Sequence, residues 1–291
     1  MNHDTALVIG GVGAVGSLFC RLLLKNYQHV VAMDLQYDED SQIDGVVYVQ
    51  GNANDTKPTD LLQKAKLILL AIPEAPAIEF IESFGRLLQP GQCLIDTLSV
   101  KSAVVEHLRK LNPGFEMLSI NPMFGPDLGF QNQSVACVEV NAGPISQHFL
   151  SMIRDAGSTV VVVTAEEHDH YTAATQAATH AAILSFGMTL AKINYTSDAA
   201  RPIWTPPHKT LLALLARILA ADPEVYRDVQ ASNPFAKEAR QAMTDSLVVL
   251  EQIVLSGRPE KFRELFELLK PVLGTSETEL AALSEDIFNN I

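Results

Sequence analysis

Cationic side chains are scarce in this chain: 21 lysines and arginines stand against 34 aspartates and glutamates, a formal net charge of −13. That balance argues against non-specific binding to nucleic acid or to an anionic membrane. It leaves room for a small anionic substrate, because a site's local charge can oppose the global one. Cysteine is scarce too. Cys20, Cys93 and Cys137 are odd in number and lack CxxC or metal-ligand spacing, which fits a reduced, cytoplasmic setting with buried apolar thiols. Long apolar runs are missing, so no segment is expected to span a bilayer. Before the first apolar run stand Asn2, His3 and Asp4 but no Lys or Arg, a poor start for a signal peptide. With 47% hydrophobic and 19% charged residues over 291 positions, the expectation is a soluble globular protein of two domains.

What is present begins with a short apolar strand, residues 6–11, that runs into Gly11-Val12-Gly13-Ala14-Val15-Gly16 and then a helical pattern over 17–25. In a dinucleotide fold one glycine allows the tight turn, one lets the backbone approach a pyrophosphate, and one lets helix and strand pack. The helix N-terminus then offers free N–H groups and the positive end of its dipole. A second strand, 29–35, carries Asp34 near its end. A carboxylate there suits both ribose hydroxyls and repels a 2′-phosphate, so NAD is expected rather than NADP; an ordinary strand-end turn residue is the plainer reading of Asp34. Alternation continues with a strand at 46–49, one at 66–72 ending with Ile72 against Pro73, a helix at 77–88 and a strand at 93–96. Further strands are expected at 135–141 and 159–164, around a helix from 144 to about 156. The fold class is therefore α/β, with a Rossmann-type domain over residues 1–164.

From residue 165 the pattern is helical throughout, and 165–291 reads as an all-helical domain for oligomerisation and substrate binding. One long helix is expected at 166–192, with a small-residue face of alanines. Residues 194–207, with three prolines, read as a loop, and further helices follow at 208–221, 223–256, 259–273 and 276–290. The run 210–221 is apolar nearly all round, which predicts burial. Arg217 is its only charge, and a buried guanidinium needs an anion: either an internal carboxylate such as Asp222 or Glu224, or a substrate carboxylate held bidentately. Lys209, eight residues earlier, favours the ligand. His168, Thr172, Gln176 and His180 form a polar line at i, i+4 spacing, either a solvated face or the wall of a site. His168-Asp169-His170 is not expected to hold a metal, since HxH on a helix points its imidazoles apart.

Two positions in the first half have a structural and a functional reading. Ser99 follows the strand at 93–96 and is either a helix N-cap or a hydroxyl beside the nicotinamide. Asn121 sits where an apolar strand is halted by Pro122, Gly125 and Pro126. It is either a structural Asx-turn residue or a polar group at a strand's carboxyl end, where open α/β sheets place ligands.

Taken together, the Gly-rich loop, Asp96-Thr-Leu-Ser99-Val-Lys101, Asn121-Pro-Met-Phe-Gly-Pro, Glu167-His168-Asp169 with Gln176 and His180, and Arg217-Ile-Leu-Ala-Ala-Asp222-Pro223 resemble the prephenate dehydrogenase family. The resemblance implies a Rossmann domain followed by a helical dimerisation domain, a homodimer, and NAD-dependent oxidative decarboxylation of a prephenate-type cyclohexadiene. Neither the chorismate mutase domain nor the C-terminal regulatory domain of some relatives is expected. By position, Ser99 would bond the C4 substituent and Arg217 a substrate carboxylate, while Lys209 stands where some members have Arg and offers a point charge instead of a fork. The departure is Asn121, where the family pattern has His. An amide accepts a hydrogen bond but takes no proton near neutral pH, and losing a base on a hydroxyl substrate costs roughly 10²–10⁴-fold. An amine at C4 donates electrons better and suits an amide carbonyl. The expected substrate is therefore 4-amino-4-deoxyprephenate, giving 4-aminophenylpyruvate. The alternatives are an ordinary prephenate or arogenate dehydrogenase with another base, and a catalytically silent NAD-binding regulator.

Overall fold

The computed structural model describes residues 4–37, 42–54, 58–111 and 114–290, so Asn2 and His3 lie outside the described residues. The chain divides into two compact units, Met1–Tyr171 and Thr172–Ile291.

The first unit is an eight-stranded sheet in the order β3-β2-β1-β4-β5-β6-β7-β8. Its strands are β1 (Thr5–Ile9), β2 (His29–Asp34), β3 (Val46–Gln50), β4 (Leu67–Leu70), β5 (Cys93–Asp96), β6 (Glu116–Pro122), β7 (Ser134–Asn141) and β8 (Thr159–Val162). All neighbours run parallel except β6 and β7, which are antiparallel with Asn121 opposite Ala136. Strand order reverses between β1 and β4, the switch point at which doubly wound sheets bind ligands beyond the carboxyl ends of their strands.

Period-two alternation decides which side chain goes where. Ala6, Val8, Val30, Ala32, Leu67 and Leu69 turn to one face, where α1 (Ala14–Leu23) and α5 (Pro144–Asp155) cover them. Leu7, Ile9, Met33, Ile68 and Leu70 turn to the other, beneath α2 (Pro58–Lys64), α3 (Glu74–Phe84) and α4 (Ser102–Lys110). Burial on both sides is why these strands read as unbroken apolar runs. All three cysteines are free and buried, Cys20 on α1, Cys93 on β5 and Cys137 on β7, and burial pushes the Cys20 and Cys137 thiols up to about 12.

Several boundaries differ from the sequence reading. Strand β1 stops at Ile9, because Gly10 turns into the left-handed region with φ of +80°. Helix α3 begins at Glu74 rather than 77. Pro76 falls in its first turn, where backbone N–H groups have no intrahelical acceptor and proline removes nothing.

The second unit is helical: the end of α6 (Ala165–Thr172), a π-helical segment (Ala173–Ala178), α7 (Thr179–Lys192), α8 (Ser197–Ala200), α9 (Pro206–Leu219), α10 (Pro223–Ala231), α11 (Ala236–Leu255), α12 (Pro259–Leu273) and α13 (Glu277–Asn289). The single helix expected at 166–192 is thus interrupted by a wider turn, a feature frequent at functional sites. The helix expected at 223–256 is two helices. Pro234 lacks a donor and pushes Asn233 out of helical geometry, and the Asn233 side chain closes the break by accepting from Phe235 N at 2.8 Å.

The largest correction concerns α9. Its apolar composition predicted burial, but only Ile218 is buried, while Leu214 is 41% and Leu219 70% exposed within the single chain. Apolar faces on α11 and α12 are uncovered in the same way. The apolar surface of this unit exceeds what its own helices cover.

Candidate active site

Five strands of the first unit deliver the sequence-predicted residues to one edge of the sheet. The turn after β1 carries Gly11 and Gly13, and the first turn of α1 carries Val15 and Gly16. A Cβ at Gly16 would lie 2.0 Å from Gly10 O, and one at Gly11 would lie 2.5 Å from the Ala32 Cβ, so neither position accepts a side chain. Gly13 is different: an added Cβ meets only Gly10 O, at 3.4 Å. It is exposed and caps α1 with no side-chain bond, so the first-turn N–H groups of that helix stay open to an anion. Val15 packs its side chain on the core beneath. Gly10 was absent from the sequence-predicted set, yet its added Cβ would strike Ala71 O at 2.2 Å; the Gly10-Gly11 pair was the available signal.

Asp34 ends β2 beside this loop. Its Oδ2 accepts Val12 N at 3.0 Å and its Oδ1 accepts Leu35 N at 2.8 Å. It is therefore a turn-forming residue and a loop brace at once, with lone pairs left on both oxygens for further donors. Ile72, half-buried, and Pro73, which precedes α3, follow β4 on the same edge. Together these residues form a glycine cradle, an open helix N-terminus and a carboxylate, the donor and acceptor set that a dinucleotide requires.

The loop from β5 to α4 is tied down internally. Asp96 Oδ1 accepts Leu98 N at 3.1 Å and Lys101 Nζ at 2.9 Å, while Thr97 Oγ1 donates to Leu70 O at 3.0 Å. Lys101 is fully buried and also donates to Ile120 O at 2.5 Å; burial pushes its pKa down against the pull of Asp96. Ser99, half-buried, rides on this loop. It is not the N-cap: α4 begins at Ser102, and the capping group is the carboxylate of Asp169, which accepts Lys101 N and Ser102 N at 2.8 Å each.

Asn121 is 2% exposed near the end of β6. The Asx-turn reading fails, because the Met123 N–H goes to Ser134 O at 2.9 Å. Its Nδ2 instead lies 3.1 Å from His168 Nε2, and His168 Nδ1 lies 2.8 Å from Asp169 Oδ1. A Thr164-x-x-Glu167 capping box starts α6, with Thr164 N bonded to Glu167 Oε2 at 2.8 Å and Glu167 N to Thr164 Oγ1 at 3.1 Å. That start sets the phase of the helix, so His168 and Asp169 turn inward while His170 is exposed. Burial holds His168 below its usual pKa, against the hydrogen bond to Asp169. Burial raises the Asp169 carboxyl, but its bonds to His168, Ser102 and the Lys101 backbone outweigh this and hold it low. Sequence reasoning had left His168 as either part of a solvated face or the wall of a site, and had given Asp169 and Lys101 no role; burial of His168 removes the solvated-face reading for it. Among the described residues no group of three His, Cys, Asp or Glu is placed to hold a metal, and no helix is long and apolar enough to cross a membrane.

The other four predicted residues belong to the second unit. Gln176 sits in the π segment and His180 in the first turn of α7. The wider turn breaks the strict i, i+4 line drawn from sequence. Among the described residues, Gln176 Oε1 and His180 Nδ1 are buried without a partner, and His180 meets the Tyr226 ring edge-on at 4.8 Å. Burial lowers the His180 pKa. Lys209 and Arg217 both lie exposed on α9, so Arg217 is not the buried guanidinium expected from its apolar neighbours.

Comparison with known proteins agrees with this architecture. Residues 22–139 match the family described as prephenate dehydrogenase, nucleotide-binding domain, and residues 164–269 match prephenate dehydrogenase, dimerization domain. The chain is 42% identical over 284 residues to the 4-amino-4-deoxyprephenate dehydrogenase of Streptomyces pristinaespiralis, covering 97% of this chain and 95% of that protein. It is 27% identical to the T-protein of Enterobacter agglomerans, covering 84% of this chain but only 62% of the longer relative. The crystal structure of prephenate dehydrogenase from A. aeolicus, in complex with hydroxyphenyl propionate and NAD+, has the same fold: TM-score 0.70 at 20% identity, over 96% of this chain and 99% of that one. Synechocystis arogenate dehydrogenase follows at TM-score 0.65 and 20% identity, over 94% and 99%. With its glycine-cradled nucleotide edge, its helical second unit and a full-length relative at this level of identity, the chain belongs to the prephenate dehydrogenase family of oxidoreductases.

Proposed function

We propose that this protein catalyses the NAD-dependent oxidative decarboxylation of 4-amino-4-deoxyprephenate to 4-aminophenylpyruvate, acting in the cytoplasm as a homodimer. The observation that carries this reading is the Asn121 amide, buried at the carboxyl end of β6 where the family pattern has His. The 42% identity to a protein of that activity supports it.

Gly11, Gly13, Val15 and Gly16 would hold the pyrophosphate through backbone N–H groups, Asp34 the ribose hydroxyls, and Ile72 with Pro73 the neighbouring wall. Asp34 also favours NAD over NADP, since a 2′-phosphate beside a carboxylate is repelled. Bound there, NAD supplies the hydride acceptor. As hydride leaves C4, the bond from C1 to its carboxylate breaks, carbon dioxide departs, and the released pair completes the aromatic ring. A neutral C4 amine keeps both protons through this change while its N–H bonds grow more polar. Asn121 Oδ1 accepts one of them, and Ser99 bonds the same substituent. No base is required, so an amide suffices. A hydroxyl oxygen donates its electrons less readily and gains more from a base, which Asn121 cannot provide. Arg217 and Lys209 are assigned to the substrate carboxylates, and Gln176 and His180, with their unpartnered atoms, to polar groups of the substrate.

The test is NADH formation from 4-amino-4-deoxyprephenate, prephenate and arogenate side by side. The amine is expected to lead in kcat/KM by at least about 100-fold, the low end of what a missing base costs on a hydroxyl. In Asn121→His the lead should shrink or reverse. A wild-type preference for prephenate overturns the reading.

A further inference from the structure

We propose that His168 and Asp169 are positioning residues that fix the Asn121 amide with its carbonyl oxygen toward the substrate and strengthen that oxygen as an acceptor. This rests on the reading of Asn121 given above. The inference comes from proton placement along one line of hydrogen bonds. An amide nitrogen only donates, so with Asn121 Nδ2 at 3.1 Å from His168 Nε2 that ring nitrogen must be the bare one. The ring proton is then on Nδ1, where it meets Asp169 Oδ1 at 2.8 Å. Every contact on the line joins a donor to an acceptor.

The flipped amide has no such solution. Turning Oδ1 toward the ring demands a proton on Nε2, which leaves a bare Nδ1 against a carboxylate or calls for an imidazolium. Burial disfavours the imidazolium. Asp169 cannot swing away to relieve the clash, because Lys101 N and Ser102 N hold its two oxygens at 2.8 Å at the start of α4, where the helix dipole also favours an anion. The backbone is held as well, since Lys101 Nζ bonds the carbonyl of Ile120, one residue before Asn121. Hydrogen bonds in series polarise one another. The negative charge on Asp169 therefore reaches the amide through the imidazole and enriches Oδ1. With its Nε2 lone pair occupied, His168 is not itself available to take a substrate proton.

The test compares His168→Ala, His168→Gln, Asn121→Ala and the Asn121→Ala/His168→Ala double variant, with NAD affinity as the check on folding. His168→Ala is expected to lower kcat/KM on the preferred substrate by roughly 10- to 100-fold, the loss of an oriented, charge-coupled hydrogen bond, and to narrow the gap between amine and hydroxyl substrates. His168→Gln keeps an acceptor facing Nδ2 and should restore both activity and selectivity to within about threefold of wild type. In the Asn121→Ala background, removing His168 should cost less than about twofold more, because residues acting through one another are non-additive. Losses that multiply, an unchanged substrate ratio in His168→Ala, or no rescue by Gln each overturn the proposal. Should His168→Ala lose NAD binding, the Gln variant decides alone, since a shape-filling role predicts its selectivity falls. A wild-type preference for prephenate refutes the substrate reading and leaves the double-variant comparison valid on that substrate; multiplying losses refute the relay and leave the substrate reading intact.

Discussion

The two units spend their apolar residues in opposite ways. In the first, strands are covered on both faces, and Leu7, Ile9, Phe19, Leu67 and Phe149 have essentially no exposure. In the second, the buried apolar cluster among the described residues consists of Ala177, Val229 and Ala236, while Leu255, Leu268 and Val272 are more than 70% exposed. Exposed apolar surface on this scale is the mark of an interaction surface. The first unit carries its own core; the second leaves much of its apolar surface uncovered within the chain, in keeping with its match to a dimerization domain and with the homodimer proposed above.

That contrast is open to direct attack. The largest effect is expected from Phe19→Ala. Phe19 lies between the rings of Phe130 and Phe149, at 5.5 and 5.9 Å, and its truncation should cost about 3–5 kcal/mol in denaturant unfolding. The loss should be the same at low and high protein concentration, because the cavity lies within one chain; a concentration-dependent loss would break the comparison. Next comes Leu268→Glu on α12. Leu268 is 72% exposed, so in a monomer the change should fall within about 0.5 kcal/mol. In a dimer that covers this face it should instead weaken association by at least about tenfold, or 1.4 kcal/mol, seen by analytical ultracentrifugation and by a melting temperature below that of the wild type at the same dilute protein concentration. No change in either measurement would remove α12 from the interface.

The smallest effect is a pH dependence. Burial holds both His168 and His180 below their usual pKa, so each is favoured neutral in the fold. Below about pH 6.5 the unfolded chain takes up protons that the fold refuses, and stability should fall as pH is lowered from there. His168→Gln should flatten that fall measurably in thermal melts between about pH 7 and 5.5. An equally steep fall in the variant would mean that His168 titrates alike folded and unfolded.

Much of the nucleotide edge was legible because its signals are local. A strand, a glycine triplet, a helix and a carboxylate ending the next strand occur within 30 residues. Asn121 was recognisable as a departure from a pattern, and its place at a strand end followed from Pro122 and Gly125. What was not legible depends on distance or on missing neighbours. His168 meets Asn121 across 47 positions. Asp169 caps a helix that starts 67 positions earlier, which removed the N-cap role foreseen for Ser99. The burial foreseen for Arg217 assumed that apolar neighbours imply a covered helix, and α9 is left uncovered by the rest of its own chain.

The sequence by itself determined the alternation of strands and helices, the glycine cradle, the carboxylate of Asp34 and the replacement of a base by an amide. These follow from periodicity, backbone freedom and functional-group chemistry, properties that each residue carries with it. Only the tertiary structure decided which way the Asn121 amide points. Its two ends are nearly equal in shape, and the choice between them belongs to a proton on His168, placed there by the carboxylate of Asp169.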